Sequence, residues 1–203
     1  MNIWFMIWVF VAVILMGTFF WNMRILMWQK MAWKDFAKKH NMDFSSKGVV
    51  ASGVISGAFQ GFYLTVSSDP QIDEDFRGRR FVTVVQVDLK SSMPTEGVVG
   101  SPGLRRFVGD LPLAEEFVPH ESSGWNPQAL IKAQSAEALN SYFTKERTQA
   151  LNSLMSVKGV NVLFVFNEKS TLLRFETPDP MDDAAKLDRL VGKILEAAKI
   201  LTV

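Results

Sequence analysis

The chain has 203 residues, enough for one ordinary domain with an appendage. Its net charge is +1, from 22 basic and 21 acidic residues, so no global electrostatic field points to a nucleic acid or a polyanionic substrate. Cysteine is absent, which excludes disulfides, thiolate catalysis and cysteine-ligated zinc or iron–sulfur centres.

Apolar residues are concentrated at the start of the chain. Five of the six tryptophans and six of the ten methionines lie in the first 33 residues. Residues 3–21 carry no charged side chain, and Arg24 is the first cation. As a helix with a rise of 1.5 Å per residue, this stretch spans about 28 Å, close to the roughly 30 Å hydrocarbon core of a bilayer. The sequence therefore predicts a transmembrane helix.

Aromatic and basic residues flank this stretch, as the two interfaces of a membrane favour. The side chains that we expect at these interfaces are Trp4, Trp8, Trp21, Trp28, Arg24, Lys30 and Lys34. A cleaved signal peptide is the alternative, but it needs a basic start and small residues before the cleavage site. Here the stretch ends in bulky Phe19, Phe20 and Trp21, so we expect it to be retained.

The charges around the span predict its orientation. One acidic residue, Asp35, and five basic residues follow it, namely Arg24, Lys30, Lys34, Lys38 and Lys39, whereas no charged side chain precedes it. The positive-inside rule then places the N-terminus outside and the C-terminal domain in the cytoplasm. We expect a single-pass protein of the inner (plasma) membrane.

Helical spacing continues beyond the span. Met27, Trp28 and Met31 alternate with lysines, and no glycine or proline interrupts this region before Gly48. We expect one continuous helix from about residue 3 to His40, with Asn41 as its C-cap. Its last turns would be amphipathic and would lie on the membrane surface or on the soluble domain. Residues 1–41 would form the anchor and juxtamembrane helix, and residues 42–203 a soluble domain.

Residues 48–68 are also uncharged and have two interpretations. Gly53, Gly57 and Gly61 recur at every fourth residue, which is typical of helices packed within a membrane. The β-branched residues and the strand-like run 63–66 favour instead a β-hairpin that turns near Gly57–Gly61. We prefer the hairpin, and a second membrane segment is the alternative.

The later elements are read from periodicity and turn residues. Alternating apolar residues predict a strand over 80–89, with a shorter one at Val98–Val99 and an irregular region over 104–125. Helices are predicted near 127–142 and 144–157, then a hairpin of residues 160–166 and 171–175. A final helix is predicted to begin with Asp179 as its cap and Pro180 at its first position. Strands followed by helices, a hairpin and a helix indicate an α+β fold with a mostly antiparallel sheet covered by helices.

Two clusters of polar residues are candidate sites of chemistry. His120 adjoins Glu121, Ser122 and Ser123, but a hydrolase needs such groups to converge in space, and sequence neighbours rarely do so. The acidic loop of Asp69, Asp73, Glu74 and Asp75 lacks the spacing of a calcium-binding loop, so we interpret it as solvated. We predict no catalytic residue, no metal and no cofactor.

Five arginines are the most suggestive polar groups of the domain: Arg77, Arg79, Arg80, Arg105 and Arg106. Beside a membrane, guanidinium groups can bind phosphate headgroups or an acidic partner. The alternative is that they cover strand ends and pair with nearby acids.

We favour a non-catalytic accessory or assembly subunit of a larger inner-membrane complex, for example a respiratory or photosynthetic one. Its expected partners are membrane lipid and other integral membrane subunits, and not nucleic acid. A membrane-tethered domain that binds anionic lipid or a small ligand is the first alternative. A membrane-associated hydrolase is the second.

Overall fold

A computed structural model describes residues 2–48, 51–70, 81–119 and 125–202. The α-helices in these ranges are Ile3–Lys39 (α1), Arg105–Gly109 (α2), Lys145–Met155 (α3) and Ala184–Leu201 (α4). The strands are Asp43–Ser46 (β1), Gly53–Phe59 (β2), Phe62–Pro70 (β3), Phe81–Asp88 (β4), Gly97–Gly100 (β5), Glu115–Phe117 (β6), Leu130–Ala133 (β7), Asn161–Phe166 (β8) and Thr171–Thr177 (β9). Short 3-10 turns lie at Pro102–Leu104 and Glu137–Leu139. The predicted α+β class is confirmed.

The strands form one 9-stranded sheet in the order β1-β2-β3-β4-β9-β8-β5-β7-β6, and every neighbouring pair is antiparallel. The end of α1 packs with α3 and α4 on one face, where the main core lies. A smaller cluster around Val108 of α2 covers part of the opposite face. Strand β8 contributes side chains to both clusters, because Phe164 points into the main core and Val165 packs on the smaller cluster.

Helix α1 is one unbroken helix of 37 residues, as predicted. The Asn2 side chain caps its start by accepting from the Trp4 backbone N–H. Its C-cap is His40, and Asn41 lies one residue further with a left-handed φ of 53°. Within the described residues, α1 is the one helix long and apolar enough to cross a membrane, and its most apolar 18 residues are 0% buried.

The predicted hairpin in the uncharged glycine-rich region is confirmed. Strands β2 and β3 pair from Ile55–Val66 to Phe59–Phe62, and Gln60 and Gly61 form the turn with φ values of 50° and 93°. Both strands are also bonded to the rest of the sheet, so residues 53–70 form no second membrane helix.

The helix predicted near 127–142 is wrong. Its residues form β7 and a 3-10 turn instead, and β7 lies between β5 and β6. Ile131 and Ala133 are buried in the main core, whereas Leu130 faces the smaller cluster. Helix propensity differs by only about 0.7 kcal/mol per ordinary residue, so burial on both faces of a sheet overrides it.

The final helix begins later than predicted. Asp183 rather than Asp179 is its N-cap and accepts from the Ala185 N–H at 2.7 Å. The Asp179 carboxylate instead accepts from the Met181 N–H at 2.9 Å, in a turn where Met181 has a φ of 54°. Pro180 therefore lies in this turn rather than in the helix.

The region 104–125, predicted to be irregular, contains two short elements, α2 and β6, neither of which has a sustained period.

Candidate functional site

The last turns of α1 dock on the turn between β9 and α4. Gln29 Nε2 donates to the Pro180 carbonyl at 2.8 Å, and the Trp33 indole N–H donates to the Met181 carbonyl at 3.2 Å. Gln29 is 5% exposed and Trp33 is 0% exposed. The helix start predicted at Asp179 is thus a docking turn whose carbonyls accept hydrogen bonds from α1.

The docked part of α1 then runs along the sheet. Phe36 and His40 contact the Phe59 ring at centroid distances of 6.2 and 4.3 Å. Phe59 ends β2, and Gly53 begins it. One end of the sheet, here termed the anchor end, carries Ser46, Gly53, Pro70, Phe81, Gly100, Asn161 and Thr177. Since α1 runs from the docking turn at this end toward Phe59, its residues 3–28, most of which are exposed, project beyond the anchor end.

A charged contact holds the end of α1 against α4. Lys39 Nζ and His40 Nε2 lie 2.6 and 2.7 Å from the two carboxylate oxygens of Asp188. The hydrogen bond from Lys39, helped by the one from His40 and by both charges, holds the pKa of Asp188 below its ordinary value, although burial opposes this. The contact joins residues about 150 positions apart in the chain.

Asp188→Asn tests this contact by removing the charge while keeping an acceptor. Because the native pKa is depressed, the stabilisation is present above the unfolded pKa of about 3.9 and disappears as the pH falls through the native pKa. At pH 7 we expect the free energy of unfolding to fall by about 0.5–1 kcal/mol, a small value because the pair is solvent-screened. Denaturant titrations of the full chain in micelles should show this difference at pH 5–7 and its loss below about pH 4.

Glu168→Gln is the control for Asp188→Asn, since Glu168 is exposed in the β8–β9 turn. It should leave the free energy of unfolding unchanged within about 0.5 kcal/mol. A difference between Asp188→Asn and the wild type that persists undiminished below pH 3 would contradict an electrostatic origin.

A groove of about 830 Å³ opens between α1 and the anchor end. Trp21, Ile25 and Trp28 form its helix wall. The end of β9, the α3–β8 and β9–α4 connections and the first turns of α4 form its domain wall: Val157, Lys158, Val160, Phe175, Thr177, Pro178, Asp179, Pro180, Met181, Asp182, Lys186 and Leu190. The Arg24 guanidinium lies 4.2 Å from the Trp28 ring centroid, directly beside this groove. The groove is thus apolar at its base and carries charges of both signs.

The predicted interface residues of α1 are mostly exposed. Trp4, Trp8, Trp21 and Trp28 are 67%, 72%, 61% and 43% exposed, and Arg24 and Lys34 are exposed as well. Lys30 is half-buried and donates to the Gly48 carbonyl in the connection after β1.

The structure describes two of the five predicted arginines. Arg105 and Arg106 are adjacent on α2, which covers the sheet face opposite α1. Arg105 Nη1 donates to the carbonyls of Pro127 and Gln128, both at 3.2 Å, in the connection before β7. Arg106 is exposed. Arg77, Arg79 and Arg80 lie outside the described residues.

Of the two polar clusters considered as sites of chemistry, the structure describes only Asp69. Asp69 accepts from the Ser67 hydroxyl at 2.9 Å and pairs with Arg174 at 3.0 Å, and Arg174 also pairs with Glu176 at 2.7 Å. Asp73, Glu74, Asp75 and His120–Ser123 lie outside the described residues. Over ranges 2–48, 51–70, 81–119 and 125–202, no group of three or more potential metal ligands comes together.

No known family model, curated protein or solved structure matches this chain. What the docked helix and the groove can do therefore follows from their own residues. The amphipathic last turns of α1 predict a position on the membrane surface or on the domain, and the structure places them on the domain. The acceptor Met181 and the groove were not predicted, because Trp33 and Met181 are 148 positions apart. One signal was present: the residues of α1 buried on the domain, Gln29, Ala32, Trp33, Phe36 and Ala37, are spaced like one face of an amphipathic helix.

Proposed function

We propose that this chain is a non-catalytic accessory or assembly subunit of a larger inner-membrane complex. Its apolar helix anchors it, and its domain lies on the cytoplasmic side. The observation that carries the proposal is the direct continuation of an exposed apolar helix into the core of the domain.

The exposed part of α1 needs a covering that the described chain does not supply. Its most apolar 18 residues are 0% buried, and aromatic side chains lie all around it. Lipid can cover such a helix, and so can the helices of neighbouring subunits. The density of Trp, Phe and Met favours packing against other membrane helices in addition to lipid.

The docked part of α1 fixes the domain relative to the membrane. Trp33 and Phe36 are 0% and 1% exposed in the main core, so α1 cannot rotate without opening that core. A flexible linker would be enough for simple tethering, whereas a rigid junction sets the height and rotation of the domain. Fixed orientation is what a subunit needs when it contacts a partner both within the membrane and beside it.

Two groups among the described residues have a shifted pKa, and both serve packing contacts. Asp188 binds the end of α1, as described above. Burial raises the pKa of the Tyr142 hydroxyl well above its ordinary value, partly offset by the nearby Arg147. This hydroxyl donates to the Leu201 carbonyl at 2.6 Å and so caps the end of α4. These roles support a structural rather than a catalytic protein.

Site-specific photocrosslinking in native membranes tests the proposal. Phe10 and Phe19 are nine positions apart, so they lie on faces of α1 about 180° apart. With a benzophenone amino acid at each position in turn, we expect crosslinks to another integral membrane protein from one face and mainly to lipid from the other. Crosslinks to lipid alone from both positions would overturn the proposal.

The orientation is tested in the same membranes. Because the chain has no cysteine, Lys169→Cys in the exposed β8–β9 turn provides a unique label. A membrane-impermeant maleimide should react with it only after the cells are lysed. Labelling in intact cells would place the domain on the outer side.

A further inference from the structure

We propose that the groove between α1 and the anchor end binds one phospholipid from the bilayer. Its phosphodiester headgroup would lie between Lys158 and Lys186, and its upper acyl chains against Ile25, Trp28 and Leu190. This inference rests on the proposed function only in requiring that α1 crosses the membrane.

The level of the groove identifies the source of its ligand. The continuous apolar part of α1 ends at Trp21, before the polar Asn22, and the hydrocarbon core would end there; Trp28 is seven residues further. At 1.5 Å per residue, this interval covers about 10 Å, comparable to the roughly 5–8 Å headgroup layer on each side of a bilayer. The helix wall of the groove is made of this same interval. The groove therefore opens at the depth of lipid headgroups.

The base of the groove is apolar. Ile25, Val160 and Leu190 are half-buried there, and Phe175 of the main core lies behind them. At the depth of the headgroups, such a surface contacts water unless it is covered by glycerol and acyl groups. The volume of about 830 Å³ suits a headgroup with the upper part of its chains rather than a whole lipid.

The rim of the groove carries the charges that a phosphodiester requires. Lys158 is exposed and forms no ion pair with any residue that the structure describes. Lys186 forms an exposed pair with Asp182 at 3.7 Å, which solvent screens and a phosphate can replace. Asp179 also lines the groove, and one of its carboxylate oxygens accepts from the Met181 N–H. Two lysines are thus available to one phosphate.

Retention of lipid by the purified full chain tests this proposal. After extraction in a mild detergent, native mass spectrometry should find about one phospholipid per chain. In the variant K158A/K186A, retention should fall roughly 30-fold, since each lysine beside a headgroup contributes a factor of about 5. The control K145A/K193A removes two exposed lysines that do not line the groove, and it should retain lipid like the wild type.

A second variant blocks the groove without changing charge. Leu190→Trp places a larger side chain at its base and should also abolish retention, provided that the melting temperature shows a folded protein. Equal retention by the wild type and both groove variants, or none by the wild type, would overturn the proposal.

The nature of the occupant is tested separately. In nanodiscs, phosphatidylcholine, phosphatidylethanolamine and phosphatidylglycerol should each be retained, whereas a glycolipid without phosphate should not. Equal retention of the glycolipid would overturn phosphate recognition. A photocrosslinker at Ile25 should react with lipid, and a protein adduct there would show that a partner fills the groove.

The two proposals can fail independently. If K158A/K186A retains lipid normally while Phe10 or Phe19 still crosslinks to a membrane partner, only the lipid proposal is lost. If both groove variants lose lipid while neither phenylalanine crosslinks to a protein, only the subunit proposal is lost.

Discussion

Trp33→Ala is expected to lower the free energy of unfolding by about 3–5 kcal/mol and to release the end of α1 from the domain. The side chain is 0% exposed in the main core, so its removal leaves a cavity at the junction. It also removes the indole N–H that binds the Met181 carbonyl. Denaturant unfolding of the full chain in micelles gives the energy, and hydrogen exchange of residues 29–39 reports the release.

Two variants separate the contributions at this position. Trp33→Phe keeps most of the packing but leaves the Met181 carbonyl without its donor, so a smaller loss of about 1–3 kcal/mol is expected. Trp28→Ala changes a side chain that is 43% exposed and should leave the free energy of unfolding unchanged within about 1 kcal/mol. Wild-type exchange protection of residues 29–39 in Trp33→Ala would show that Trp33 does not hold the junction.

Trp33→Ala also distinguishes anchoring from positioning. Residue 33 lies beyond the apolar stretch, so the variant should still partition into membranes. A partner that needs only the membrane helix would still crosslink from Phe10 or Phe19. A partner that also contacts the oriented domain should no longer assemble with the Trp33→Ala variant, because the orientation of the domain is lost.

Gly97→Ala is expected to destabilise the sheet by about 3 kcal/mol. A Cβ at this position would lie 2.5 Å from two atoms of the Phe166 ring and 2.7 Å from the Lys132 carbonyl oxygen. Phe166 is 0% exposed, and the carbonyl belongs to the neighbouring strand β7, so neither has room to move. Since β5 joins β7 and β6 to the rest of the sheet, the strain should lower the melting temperature of the whole domain.

Gly192→Ala is the matched control for this prediction. Nothing lies within 4 Å of a Cβ at Gly192 in α4, and alanine favours a helix by about 1 kcal/mol over glycine. The melting temperature should therefore rise or stay constant in this variant while it falls in Gly97→Ala. A wild-type melting temperature for Gly97→Ala would contradict the close contact with Phe166.

Local signals account for the elements that could be predicted from the sequence. The uncharged run of α1 and the hairpin of β8 and β9 depend on neighbours in the chain. In that hairpin, Asn167 Oδ1 accepts from the Lys169 and Ser170 N–H groups, so the turn is defined by one side chain. Such features leave a readable pattern in a short window of sequence.

Distant contacts account for the errors. The region of β7 contains good helix-forming residues, and only its place between β5 and β6 makes it a strand. The Asp179–Pro180 pair resembles a helix start, yet Thr83 and Gln29 bind the Asp179 and Pro180 carbonyls from other elements. No window around residue 180 contains those partners.

The candidate site was beyond prediction for the same reason. Its helix wall, at Trp21 and Trp28, was recognised as membrane interface, but its domain wall comes from connections more than a hundred residues later. The five arginines could be identified as candidates because clustered charge is visible in a sequence. Lys158 and Lys186 are isolated there and come to line one groove only through the fold.

The docking of α1 also sets an order of events during synthesis. Trp33 leaves the ribosome 148 residues before Met181, which at about 5–20 residues per second is a delay of roughly 7–30 s. Throughout that interval the apolar stripe beyond the anchor has no domain to bind. We expect the helix to enter the bilayer first, so that the nascent chain completes its sheet against an anchor that is already in place.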